Sequence, residues 1–295
     1  WGDDTVHDLN DIQDYPLGIG AKIRRWHAPD VDGVFDHWGG FNQDISCNSI
    51  ACREFFLNPL ADPETVCKGI AVRQFGEEAG LLAFQAWQSL EKAHGILSNA
   101  CTWPPGQWPG WYSGREHPPI PEELAKFGVK GGEPPRRAES IQYNPPDLAE
   151  RLQRVGDAWH MAFPHYEEAV RKMNEAVAKA DERPLFYAYW WNGESKSPTR
   201  REHLRRQSIY IESMGRVGRE IGLHFSLNAL FERVKGDAAA YRQQAEQLLE
   251  EDVLACREAA DYLDKLKAQG DDRRADRDWA QLYRAKADRI EAYLK

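Results

Sequence analysis

The sequence predicts a mainly α-helical protein, in which a short β/α barrel-end segment precedes an antiparallel helical bundle. Three observations lead there. Apolar residues recur at helical spacing over most of the chain from Asn48 onward. Two short runs before it, Gly20–Trp26 and Val31–Trp38, read as strands. The stretch 101–146 carries too much proline and glycine for a long helix or a central strand. The expected division is 1–60 as the end of a barrel-like domain and 61–295 as a helical domain.

Taken in order, GAKIRRW (Gly20–Trp26) is the first expected strand, and VDGVFDHW (Val31–Trp38) the second, closed by Gly39 and Gly40. Ile50, Ala51, Phe55 and Phe56 then share one helical face, and Asn58-Pro59 ends that helix. Asp62 is the expected N-cap of the next helix, with Pro63 at its first position and Gly76 breaking it. A helix over 79–97 turns Leu82, Ala86, Trp87 and Leu90 inward.

The irregular stretch 101–146 holds Trp103, Trp108, Trp111 and Tyr112. A loop this long in a compact domain is usually functional. A helix over about 146–180 follows, with Leu148, Leu152, Val155, Trp159, Phe163, Tyr166, Val170 and Met173 in register. The aromatic run Arg183–Gly193 interrupts the pattern. Three more helices are expected over about 197–235, 237–269 and 276–294, which completes a bundle.

Bulk properties narrow the function. The net charge of −9 argues against nucleic acid and against anionic membrane surfaces, both of which need a basic face. No apolar run reaches the length needed to span a bilayer. The chain begins at Trp1 without a signal peptide, which leaves two readings: a leader was removed, or the chain is a piece of a longer polypeptide. The second is favoured, because the first residues read as the middle of a domain, and it would leave an N-terminal barrel portion of the same protein missing. The five cysteines (Cys47, Cys52, Cys67, Cys101 and Cys256) show no metal-ligand spacing and read as small buried apolar residues, with one bridge among Cys47, Cys52, Cys67 and Cys101 as the alternative. No metal or cofactor is expected, and no phosphate-binding glycine loop or GxSxG elbow is present. A secreted or periplasmic location is favoured over a cytoplasmic one.

The 11 tryptophans are the compositional anomaly. An indole offers a flat apolar face with a polar edge, which suits the C–H face of a sugar ring. The site favoured by this reading is Asp36-His37-Trp38 with Asn42 and Asp44, where the second strand should end. There Asp36 can do acid/base work, Trp38 can floor a subsite, and His37 and Asn42 can orient hydroxyls. Asp3 and Asp4 form a second carboxylate pair, whose alternative is a turn or helix cap. Trp103, Trp108, Trp111 and Tyr112 could cover a sugar cleft or clasp the loop to the bundle. His160, His165 and His203 read as structural or surface residues, and the charges around Arg200–Arg206 as a solvated face.

The segment IRRWHAPDVDGVFDHWGGFNQDISCNSIACREFFLNP (Ile23–Pro59) resembles the last barrel strands of bacterial polysaccharide-degrading glycoside hydrolases. There a strand of the form xGVFDHWG is followed by a helix carrying RExxxNP and then by a helical domain, here with Phe75-Gly76 and Ala86-Trp87. The layout is similar to that of α-glucuronidase and hexosaminidase-like enzymes. The resemblance implies a (β/α)8 barrel ahead of the helical domain and hydrolysis by two carboxylates. Asp3 and Asp4 would be the tail of the catalytic region, and His37 and Trp38 subsite residues. Two other readings stay open: a non-catalytic glycan-binding module, and a helical scaffold or homo-oligomerisation domain.

Overall fold

The computed structural model describes residues 16–26, 47–100, 120–122, 148–185, 189–191, 194–196, 198–268 and 279–295. Among them are eight helices: α1 (Pro16–Trp26), α2 (Cys47–Leu57), α3 (Pro63–Phe75), α4 (Glu77–Ala100), α5 (Leu148–Lys179), α6 (Arg200–Arg233), α7 (Ala238–Ala268) and α8 (Trp279–Leu294). One two-stranded antiparallel ribbon, β1 (Tyr189–Trp191) and β2 (Glu194–Lys196), lies between α5 and α6, pairing Tyr189 with Lys196. The chain is mainly α, as expected. The expected strand Val31–Trp38 lies outside the described residues.

The expected strand Gly20–Trp26 is instead the second half of α1. Pro16 sits at the start of the helix, where its missing N–H costs nothing. Ile19 and Ile23, one turn apart, are both buried, as is Leu17. Gly20 is kept bare by its neighbour: a Cβ there would stand 2.6 Å from the Phe55 ring of α2. The bare backbone at Gly20 lets α1 lie close against α2. The face expected for α2 also shifts, because Cys47, Asn48, Ala51, Cys52 and Phe55 are buried while Phe56 is half exposed.

The helix ends follow local chemistry. Asp62 accepts from the Thr65 N–H at 2.8 Å and the Thr65 hydroxyl at 2.6 Å, with Pro63 behind it. Those two hydrogen bonds hold its carboxyl below the ordinary range. Gly76, at φ 87°, ends α3 and lets α4 begin at the next residue. Thr199 and Glu202 form a reciprocal capping box at the start of α6: the Glu202 N–H donates to Thr199 Oγ1 (3.2 Å), and the Thr199 N–H donates to Glu202 Oε2 (2.9 Å). Asp237 caps α7 by accepting from the Ala239 and Ala240 N–H groups.

The residues group into two compact units. The first comprises 1–95 and 165–211, the second 96–164 and 212–295. In the first, Phe75 of α3 meets Trp87 edge-on and stacks on the buried His203 ring, 5.7 Å between centroids. His94 of α4 lies beside Tyr166 of α5. Burial alone lowers the His94 pKa to about 4, so the ring is neutral near neutral pH. The Ser208 hydroxyl donates to Asn174 Oδ1 at 2.6 Å, joining α6 to α5. The solvated face expected at Arg200–Arg206 holds only in part: the Arg200 side chain is 14% exposed and pairs with Asp181 at 3.2 Å.

In the second unit, α5 and α6 cross at glycines. A Cβ on Gly218 would fall 2.2 Å from the Trp159 ring, and one on Gly222 would fall 2.8 Å from Trp159 Cβ. A Cβ on Gly156 would meet Ser226 Oγ at 2.4 Å. The bare backbone at these three sites lets the helices approach closely enough to bury the indole of Trp159, whose inward position the helical spacing predicts. Helices α7 and α8 complete the unit by packing on each other.

Candidate functional site

The chemistry-bearing cluster in the described residues lies inside the second unit, on three helices. Helix α6 buries Val217, Glu220, Ile221 and His224 on one face. Helix α7 buries Ala245, Leu249, Asp252 and Cys256, and α8 buries Tyr283, Lys286, Ala287 and Ile290. Each set keeps helical spacing, so the three charged residues occupy core positions in register. Glu220, Asp252 and Lys286 are each 0% exposed.

The Lys286 ammonium donates to Glu220 Oε1 and lies 2.7 Å from Asp252 Oδ2. The second contact has ion-pair distance but poor hydrogen-bond alignment, and it leaves Asp252 Oδ2, like Glu220 Oε2, without a hydrogen-bond donor. The Cys256 thiol donates weakly to Asp252 Oδ1 at 3.6 Å. Two carboxylates against one ammonium leave a surplus negative charge, which a dry interior disfavours. The surplus falls on Glu220: burial first, then the Asp252 charge, raise its pKa to about 7 against the opposing pull of Lys286. Burial pulls Lys286 down, but Asp252 and Glu220 together outweigh it and keep it an ammonium. Burial, followed by Asp252, raises Cys256, which stays a thiol.

One ligand atom each from Glu220, Asp252 and Cys256 fall within 4.8 Å of one another, a spacing that could hold a metal ion. The Lys286 ammonium already uses the oxygens a metal would need, and a protonated thiol is a poor ligand. The donor set therefore fits a lysine-filled charge cluster better than a metal centre. Sequence reasoning missed this cluster. Its signal is charge at inward positions of regular helices: Lys286 between Tyr283 and Ile290, and Asp252 between Leu249 and Cys256.

Sequence reasoning favoured other residues for sugar chemistry. Asp3, Asp4, Asp36, His37, Trp38, Asn42, Trp103, Trp108, Trp111 and Tyr112 are all outside the described residues. Cys47, Cys52, Cys67 and Cys256 are buried and unbridged, and Cys101 is outside the described residues. Among the described residues, no helix is long and apolar enough to cross a membrane. No known protein family, curated protein or solved structure matches the chain.

Proposed function

We propose that the chain is part of a carbohydrate-active protein, a glycoside hydrolase, whose sugar-handling residues lie in 1–45 and 101–146 and whose helical units serve as scaffold. The observation that carries this reading is the sequence cluster Asp36-His37-Trp38 with Asn42, which sets a carboxylate and an imidazole beside an indole and an amide. Asp36 with Asp3 or Asp4 would supply the acid and the second carboxylate of glycosidic cleavage. Trp38 and the aromatics of 103–112 would form the apolar floor and cover of the subsites. The scaffold role of the helices is favoured by the placement of their charge cluster at 0% exposure, where no dissolved substrate reaches it.

The test is a panel of polysaccharides and aryl glycosides, with turnover and glycan binding measured separately on the full chain and on Asp3→Asn, Asp4→Asn, Asp36→Asn and Trp38→Ala. The hydrolase reading expects Asp36→Asn to lose turnover by at least about a hundredfold while retaining glycan binding. Binding without turnover in the wild type would replace it with a glycan-binding module. Loss of neither property in any variant would sink both.

A further inference from the structure

The Lys286, Asp252 and Glu220 cluster presents a nucleophile, an acyl carbon and a proton carrier in contact, in a place water does not reach. We propose that Lys286 and Asp252 condense into an intramolecular amide that ties α8 covalently to α7, with Glu220 carrying the protons. This inference is independent of the sugar-processing reading.

Geometry is the first support. Lys286 Nζ lies 2.7 Å from Asp252 Oδ2, which sets it beside the carbon bearing that oxygen. Reactants fixed at such range behave as if at very high concentration. The Cys256 thiol donates to the other oxygen, Oδ1, and so distinguishes an oxygen to be kept from an oxygen to be lost.

Burial is the second support. An ammonium and a carboxylate at 0% exposure each carry a large desolvation cost, and their amide is neutral. Condensation thus removes two buried charges and releases a water molecule that the interior does not readmit. Uncatalysed amide formation from an ion pair is disfavoured in bulk water because both ions are well solvated there, a solvation this interior does not provide.

The step balances without any added reagent. Glu220 Oε1, in contact with Nζ, accepts one proton from the ammonium and frees the nitrogen lone pair. Nζ adds to Asp252 Cγ, forming the Nζ–Cγ bond and pushing the carbonyl electron pair onto oxygen. That pair returns as the Cγ–Oδ2 bond breaks. Glu220 delivers its proton to the departing oxygen, and the nitrogen gives up a second one, so oxygen leaves as water. The product is a neutral secondary amide, and Glu220 regains its starting state. Burial makes Glu220 readier to take a proton than an ordinary carboxyl. The two carboxylates keep Lys286 protonated at rest, so the reaction is slow and happens once, after folding.

The experiment is the intact mass of the denatured, reduced full chain after prolonged incubation in the folded state. The wild type is expected to be lighter than its sequence by one water, and proteolysis should yield one branched peptide joining the Asp252 and Lys286 segments. Lys286→Met and Asp252→Ala should show their full sequence masses. Asp252→Asn supplies a different leaving group and should lose one ammonia, a signature that a purely structural ion pair cannot give. Glu220→Gln should slow the mass change at least tenfold; an unchanged rate would remove Glu220 from the reaction. A folded wild type at its full sequence mass, with no branched peptide, overturns the proposal, and that result depends on no variant.

Discussion

The indole of Trp159 sits directly over Gly218, so that a methyl group added at Gly218 would lie 2.2 Å from a ring carbon. Alanine is the better helix former by about 1 kcal/mol, so propensity alone predicts that Gly218→Ala stabilises. The contact predicts the reverse, a loss of about 1–3 kcal/mol in urea unfolding. Trp159→Leu should shrink that loss when the two changes are combined, because they share one contact. A stabilised Gly218→Ala protein would show that the crossing is looser than described.

Compared with freshly folded wild type, in which Lys286 and Asp252 are still an ion pair, Lys286→Met leaves Glu220 and Asp252 buried together without their cation. Breaking a buried ion pair from one side costs about 3–5 kcal/mol. Adding Glu220→Gln and Asp252→Asn removes the stranded charges, and this triple variant should regain at least half of that loss. Chemical denaturation of the wild type, Lys286→Met and the triple variant checks both statements, and equal stability of the single and triple variants would refute the charge account.

In the freshly folded, uncondensed chain the second unit should become less stable as pH rises from about 4.5 to about 7. Glu220 holds its proton to about pH 7 in the folded state and to about 4.5 otherwise. Over that interval the folded chain binds more protons than the unfolded chain, so raising the pH favours unfolding. The effect is on the order of 3 kcal/mol. Hydrogen exchange of α6 to α8 amides across this range should show falling protection in the wild type and a flat profile in Glu220→Gln.

The first unit should respond the opposite way. The His94 pKa is lowered from 6.5 to about 4, so below pH 6.5 the unfolded chain takes up a proton that the folded chain refuses. Stability is complete above that pH and is lost as pH falls toward 4, again by on the order of 3 kcal/mol. Between about pH 4.5 and 6.5 the His94 and Glu220 contributions to urea unfolding therefore oppose each other in sign. A His94→Leu variant that folds should expose the slope of Glu220, and its absence would contradict one of the two assignments.

Much of the helical layout was legible in the chain because its signals are local. Asp62-Pro63 and Gly76 mark the ends of α3 by capping chemistry that involves only neighbouring residues. The inward residues Leu148, Leu152, Trp159, Tyr166 and Met173 follow from spacing alone. What misled was tertiary. Gly20 weakens a helix locally and is tolerated because the Phe55 ring needs its space. Arg200 looks like one charge among several, and its mostly buried place beside Asp181 and Gly76 depends on residues distant in sequence. The lysine cluster depends on three helices drawn from distant parts of the sequence, so no single window reveals it. The residues proposed for sugar chemistry lie outside the described residues, and solution assays carry that question.

The two compact units are interleaved along the chain: α5 passes from one to the other at 164/165, and α6 passes back at 211/212. No single cut therefore releases either one whole and unaccompanied. A fragment ending before 211 completes neither, and one starting at 96 carries 165–211 without its partner segment. A shortened form that keeps one core whole needs an internal stretch removed and the ends rejoined, since ordinary truncation strands half of a core.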